Sequence, residues 1–161
     1  SDKAEEVMFM IAMCSVKNSP EYSLDQTETE MAISNVQQFV DRYPGSYLID
    51  SCNLIIDQLR FKLELKEYEA VALYDRTENF KAAVAAGEIF MEHYSRSKFL
   101  EEVHYMVVKN SYFMTINSIE SKKSERSSQT IERFRNFAIR YASSKYIKEL
   151  ENYVAALEKI K

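Results

Sequence analysis

The side chains that most often carry out chemistry are sparse in this sequence and lack partners at catalytic spacing. His93 and His104 are the only histidines. Neither has a second histidine four residues away with an acid between them, so the helical metalloprotease motif is absent. We expect both imidazoles to lie in solvent or at helix ends.

Acidic pairs and serines do not form a catalytic arrangement either. Glu5-Glu6 and Glu101-Glu102 are adjacent in sequence, and on a helix adjacent side chains point about 100° apart rather than at one substrate. The serines between residues 121 and 128 have no nucleophile-elbow motif and no histidine base nearby. The sequence therefore predicts no catalytic residue, no metal site, no cofactor and no enzymatic activity.

Composition predicts a helical protein. Only two of 161 residues are glycine and two are proline, while 46% are hydrophobic, so helices must supply most of the structure around a continuous core. The 21 Lys and Arg are scattered among 25 Asp and Glu, which argues against a nucleic-acid partner. No apolar run approaches the roughly 20 residues that span a bilayer.

One pattern of five residues occurs three times without insertions or deletions, and we term each copy a corner. The copies are separated by 51 and then 47 residues, which is typical of stacked supersecondary units. They are Phe39, Tyr43, Ser46, Leu48 and Ile49, then Phe90, Tyr94, Ser97, Phe99 and Leu100, then Phe137, Tyr141, Ser144, Tyr146 and Ile147.

Each corner predicts the end of one helix and the start of the next. The aromatic residue lies four positions before the tyrosine, so both occupy one helical face just ahead of the turn. The serine is then expected to act as an N-cap. Pro44-Gly45 reinforces the first stop, whereas Ser95-Arg96 and Ala142-Ser143 occupy those positions in the other copies.

Working outward from the corners predicts seven helices. The first carries an apolar stripe of Ala4, Val7, Met8, Ile11 and Cys14, and the second opens with a capping box of Thr27 and Glu30. The charged stretch 120–126 is interpreted as a solvated corner. The first, third and fifth helices are predicted over about residues 3–17, 48–74 and 99–119. The second begins near Thr27, and the fourth, sixth and seventh carry their apolar faces within 80–94, 131–141 and 146–157.

The third helix is predicted to point Cys52, Ala70 and Leu73, among others, inward. Cys14 and Cys52 are interpreted as small buried thiols, and a disulfide between them is left open because sequence cannot establish their proximity.

The fourth helix and its surroundings resemble the tetratricopeptide repeat (TPR), whose small residues let two helices of a hairpin approach closely. The matching positions are Tyr74, Phe80, Ala83, Gly87, Phe90 and Tyr94. At the first small position the other copies carry Ala32 and Thr130. The resemblance implies one TPR-like domain over residues 1–161, a right-handed superhelix of antiparallel helix hairpins.

The corners, together with the loops between over-long helices, resemble the outer-membrane assembly lipoprotein family BamD (ComL), particularly its Bacteroidota members. The segments that carry this resemblance are 22–27, 39–46, 54–60 and 117–122. It implies a non-enzymatic scaffold of the β-barrel assembly (BAM) machinery at the periplasmic face of the outer membrane. Its partners would be POTRA domains of BamA, accessory lipoproteins and unfolded outer-membrane proteins.

The resemblance also implies a carboxy-terminal portion whose upstream repeats and lipid-bearing cysteine lie outside this sequence. Membrane attachment would then depend on that anchor alone. The competing interpretation is a general periplasmic TPR adaptor of cell-envelope biogenesis, which shares the same corners.

Two segments are candidates for the partner surface because a simple helix hairpin does not need them. The loop 22–27 offers Tyr22, Leu24 and Asp25. The turn 75–79 offers Asp75, Arg76 and Asn79.

Overall fold

The structure, a computed structural model, describes residues 2–159 and is all-helical across that range. The prediction of a TPR-like all-α fold with about seven helices is confirmed. The helices are α1 (Asp2–Asn18), α2 (Thr27–Arg42), α3 (Ile49–Arg76), α4 (Phe80–His93), α5 (Leu100–Ile116), α6 (Glu120–Arg140) and α7 (Ile147–Glu158).

The chain divides into two compact units. Unit 1 ends at Lys66 and contains α1, α2 and the first part of α3. Unit 2 begins at Glu67 and contains the rest of α3 and helices α4 to α7. A single domain over residues 1–161 stays a prediction.

The core of unit 1 is formed by Ala12, Val36, Phe39, Cys52 and Ile56. The stripe predicted for α1 is wrong in part, because Val7, Ile11 and Cys14 are exposed. Residues 7–14 are all apolar, so periodicity alone cannot select the buried face. Met8, Phe9 and Met13 pack against the core instead.

The two cysteines have different environments. Cys52 is buried as expected, and burial raises the pKa of its thiol. Cys14 is exposed, so the prediction of a buried thiol is wrong there. Both thiols are free.

The core of unit 2 surrounds the second corner. Val71, Ala72, Val84, Phe90, Val103, Met106 and Val107 form its main buried cluster. Leu73, predicted to face inward, is 48% exposed, since the buried face of α3 lies at Val71 and Ala72. A smaller cluster of Val108, Phe137 and Leu150 fills the space beside the third corner.

The three corners share one backbone geometry. The tyrosines that end the preceding helices have φ and ψ of −128° and 59° at Tyr43, −124° and 58° at Tyr94, and −130° and 52° at Tyr141. Each tyrosine N–H donates to the carbonyl of the phenylalanine four residues earlier, and all three phenylalanines are fully buried. The sequence repeat is therefore a structural repeat.

The corner serines act before the helix rather than at its N-cap. Each Oγ accepts the backbone N–H two residues on, at 3.2 Å for Ser46, 3.0 Å for Ser97 and 3.2 Å for Ser144. The helices begin three residues after the serines, so the N-cap prediction is wrong by half a turn or more. Gly45 has no positive φ and its missing Cβ would meet nothing within 4 Å. The corner therefore does not depend on Pro44-Gly45.

The charged stretch 120–126 is the start of α6, not a corner. The chain turns earlier, after α5 ends at Ile116. The prediction failed because α6 buries small polar residues here, Ser127 and Thr130, rather than an apolar stripe. Hydrophobic periodicity cannot detect a helix that packs through hydroxyl groups.

Candidate partner-binding surfaces

The loop between α1 and α2 is held in one shape by a buried glutamine. Gln26 is only 6% exposed. Its Nε2 donates to the carbonyls of Glu21 at 2.7 Å and Leu24 at 2.9 Å, while its Oε1 accepts the Thr29 hydroxyl at 2.8 Å. Because every polar atom of this amide is used, the backbone of the loop is fixed from inside.

Two lysines of α3, both within unit 1, donate hydrogen bonds to the same loop. Lys62 Nζ donates to Ser19 Oγ at 2.6 Å, and that hydroxyl also bonds Thr29 Oγ1 at 2.6 Å. Lys66 Nζ donates to the carbonyl of Leu24. The loop between α1 and α2 is therefore an ordered part of unit 1.

The predicted site residues of this loop face solvent. Tyr22 is 38% exposed, Leu24 is 57% exposed, and Asp25 is exposed. The proposed capping box is not formed, since Thr27 is already the first helical residue and the N-cap position is Gln26. Asp25 Oδ1 accepts the Thr27 N–H at 3.0 Å instead. Hydrogen bonds from Thr27 hold the pKa of Asp25 below its ordinary value.

The turn between α3 and α4 is a Schellman ending. Asn79 N–H donates to the carbonyl of Tyr74 at 2.9 Å, and Glu78 N–H donates to that of Asp75 at 3.2 Å. Glu78 has φ of 56°, the left-handed conformation that usually selects glycine. Arg76 and Asn79, two of the predicted site residues, are exposed on this turn.

Asp75, the third predicted residue of the turn, is bonded internally. Its side chain is 16% exposed and pairs with Lys109 at 2.7 Å. Asn110 Nδ2 donates to Asp75 Oδ1 at 2.6 Å. The carboxylate therefore ties the turn to α5, and a direct partner contact by Asp75 stays a prediction.

Beside this turn lies a cavity of about 270 Å³ within unit 2, which we term the aromatic groove. Its polar lining residues are Asp75, Glu78, Lys109, Asn110 and Glu149. Its aromatic lining residues are Phe80, Tyr105, Phe113 and Tyr153.

The rings of the groove are fixed by stacking. Tyr105 stacks on Tyr146 with centroids 4.0 Å apart, and Tyr153 stacks on Tyr112 at 4.5 Å. Phe80 stacks on Phe113 at 5.4 Å. The groove is therefore preformed, with rigid walls.

Glu149 of α7 joins the two tyrosines of the groove. Its Oε1 accepts the hydroxyl of Tyr105 at 3.0 Å and that of Tyr153 at 2.8 Å. Burial, then the hydrogen bond to Glu149, raises the pKa of Tyr153 to about 12 and raises that of Tyr105 as well. Both phenols are therefore neutral donors at physiological pH.

The two histidines differ from one another. His93 is 53% exposed in the last turn of α4 and lies 3.2 Å from Glu67, as expected for a helix-end histidine. His104 is partly buried against the rings of Phe137 and Tyr141, so the prediction of a solvent or helix-end position is wrong. Burial, and secondarily the charge of Arg140, lowers the pKa of His104 to about 4.

Sequence reasoning missed Gln26, Asn110 and Glu149, which shape the two candidate surfaces. Gln26 bonds groups of its own loop. Asn110 and Glu149 each bond a residue distant in sequence as well, Asp75 and Tyr105, which lie 35 and 44 residues away. The one available signal was the density of tyrosines, since buried phenols need hydrogen-bond partners.

Across residues 2–159, no group of three or more His, Cys, Asp and Glu side chains is placed to hold a metal ion. The helices of this range include none whose length and apolar character would let it cross a membrane.

Helix hairpins with a repeated corner and an ordered inter-helix loop define a TPR-like repeat protein. The family model YfiO, described as an outer membrane lipoprotein, matches residues 1–98 and again residues 70–160. The chain belongs to this BamD-like family of outer-membrane lipoproteins. No curated protein gives a significant match to the chain.

Proposed function

We propose that this chain is a non-enzymatic scaffold segment of the outer-membrane β-barrel assembly machinery. The observation that carries the proposal is the family match, whose two overlapping parts run from residue 1 to residue 160. Its partners would be BamA-like POTRA domains, further BAM lipoproteins and unfolded outer-membrane proteins. It would act at the periplasmic face of the outer membrane, held there by an amino-terminal lipid anchor.

The loop of unit 1 supports a role in partner docking. It displays Tyr22, Leu24 and Asp25 on a backbone that Gln26 already holds in place. A surface that is ordered before binding loses less conformational entropy when a partner docks. Exposed aromatic and aliphatic side chains on such a backbone are suited to anchor an interface.

The turn of unit 2 supplies a second candidate contact. Arg76 and Asn79 are exposed, while Asp75 fixes the turn to α5 through Lys109 and Asn110. An exposed arginine on a rigid turn can make bidentate bonds to a partner carboxylate.

Purification of the native full-length protein tests the proposal. We expect a BamA homologue to co-purify with it from detergent-solubilised envelopes, and purified POTRA domains to bind this chain. If the BamA homologue is consistently absent while other envelope proteins are recovered, the general periplasmic adaptor becomes the better interpretation.

Loop variants then localise the contact. The double variant Tyr22→Ala and Asp25→Asn should weaken POTRA binding by about tenfold, the cost of losing one interface anchor. Tyr47→Ala is the matched control, because Tyr47 is a 90% exposed tyrosine of the same unit outside the loop. Unchanged binding of the loop variant, with an unaltered circular dichroism melt, would remove this loop from the interface.

A further inference from the structure

The aromatic groove of unit 2 carries more hydrogen-bond acceptors and negative charge than its own side chains use. Asp75, Glu78 and Glu149 line it against a single cation, Lys109, which is paired with Asp75. In the described range no donor bonds Glu149 Oε2, since both tyrosine hydroxyls bond Oε1. The groove is therefore net acidic.

Asn110 supplies a second acceptor that lacks a partner. This residue is 1% exposed, and its Oδ1 has no hydrogen bond among residues 2–159. The amide cannot be reversed, because Nδ2 donates to Asp75 Oδ1 at 2.6 Å and to the carbonyl of Met106 at 2.8 Å, both of which only accept. A water molecule or a ligand donor can satisfy a buried acceptor of this kind.

One aromatic ring of the groove already contacts a cationic side chain of the protein. Lys109 Nζ lies over the ring of Tyr105, 5.4 Å from its centroid. Tyrosine and phenylalanine faces attract cations, and guanidinium stacks on them more readily than ammonium does. The cavity of about 270 Å³ lies just below the size of pockets for drug-sized ligands, which suits one long side chain.

We propose that the aromatic groove binds an arginine side chain of a protein partner. The guanidinium stacks on the ring of Tyr153 and donates to Glu149 Oε2. The inference depends on the chemistry of the groove and does not rest on the proposed membership of the barrel-assembly machinery.

A peptide titration followed by NMR tests this binding site. The probe is a capped pentapeptide with one central arginine among glycine and serine, added to the 161-residue chain. We expect saturable shifts of backbone amides around Tyr105, Asn110 and Tyr153, and of the Asn110 side-chain amide. The same peptide with citrulline in place of arginine should bind at least about fivefold more weakly, because it lacks the charge.

A variant pair separates the groove from general surface attraction. Glu149→Gln keeps an acceptor for the two tyrosines but removes the charge, and should weaken arginine binding by about fivefold. Glu151→Gln removes an exposed charge from the same helix and should leave binding unchanged.

Four results would overturn the inference. Three of them are equal binding of the arginine and citrulline peptides, shifts confined to residues outside the groove, and no saturable shift up to about 10 mM peptide, the weak limit for a single contact. Binding of spermidine at these resonances without arginine binding would also overturn it, in favour of a small polyamine ligand. If Glu149→Gln does not fold, the citrulline comparison on the unchanged chain decides.

Discussion

Helix α5 packs against α4 on one side and against α6 on the other, and the two contacts use opposite chemistry. Toward α4 it presents Val103 and Val107 to Gly87, where an added Cβ would lie 2.3 Å from Val107 Cγ2. Toward α6 it presents the hydroxyl of Ser111 to that of Thr130 at 2.7 Å. One contact is apolar and close, and the other is a hydroxyl network.

The two contacts differ at equivalent positions of the repeat. Ala32, Ala83 and Thr130 are equivalent relative to the three corners, and all are 0% exposed. The repeat therefore conserves burial at this position but not its chemistry. Thr130 replaces the methyl contact with bonds to Ser111 and Thr115, and Arg133 adds a bond to Ser111 at 3.0 Å.

Adding a methyl group at Gly87 of α4 should produce the largest loss of stability. We expect Gly87→Ala to lower the free energy of unfolding by about 1–3 kcal/mol, although alanine favours helix by about 1 kcal/mol. Val107 is 1% exposed, and its branched side chain has one preferred rotamer in a helix, so the methyl cannot move away cheaply. Urea denaturation measures the change.

Two further variants test this explanation. In a double-mutant cycle, Val107→Ala should offset part of the cost of Gly87→Ala, with a coupling of about 1 kcal/mol. Gly45→Ala, at the only other glycine of the chain, should change stability by no more than about 0.5 kcal/mol. Equal effects at the two glycines would show that backbone freedom, not close contact, selects Gly87.

Removing the hydroxyl network on the α6 side should cost less. Thr130→Ala is expected to destabilise by about 1–2 kcal/mol, because the buried hydroxyl of Ser111 loses a partner. The double variant with Ser111→Ala should cost less than the sum of the single variants, since the Ser111 hydroxyl is then no longer left without its Thr130 partner. Ser128→Ala, an exposed position of α6, is the control. Additive single effects would show that the two hydroxyls are not coupled.

The same contrast explains how much of the fold could be predicted from the sequence. The corners were found because Phe39, Phe90 and Phe137 are buried aromatic residues at fixed spacing from a tyrosine. The start of α6 was missed because Ser127 and Thr130 carry its buried face. Polar burial depends on distant partners, which a local pattern does not contain.

The candidate surfaces follow the same rule. Tyr22 and Leu24 could be proposed because they lie in a loop that a simple helix hairpin does not need, and the structure places both in solvent. The aromatic groove could not be proposed, because it joins Asp75 of α3 with Asn110 of α5 and Glu149 of α7.

His104, whose ring lies against the third corner, should make the stability of the protein sensitive to acid. The pKa of His104 is lowered to about 4 from 6.5, so the unfolded chain binds the proton more tightly. Stability from the neutral ring is fully present above pH 6.5 and declines as the pH falls toward 4. Because the ring is only partly buried, we expect a loss of about 1 kcal/mol.

Thermal melts between those two pH values measure this loss. His104→Phe keeps a ring against Phe137 and Tyr141 and should flatten the dependence. An unaltered pH profile in His104→Phe would assign the acid sensitivity to other groups.

The smallest change in stability is expected at Glu78, in the turn that precedes α4. Glu78→Gly should stabilise the protein by about 0.5–1 kcal/mol, because glycine adopts a φ of 56° without the Cβ clash that glutamate meets. Asn79→Gly, at the next position with a negative φ of −83°, should instead destabilise slightly. A gain in stability at position 78 would show that Glu78 holds a strained backbone conformation in the turn before α4. Equal losses at both positions would show that the Glu78 side chain offsets its backbone strain.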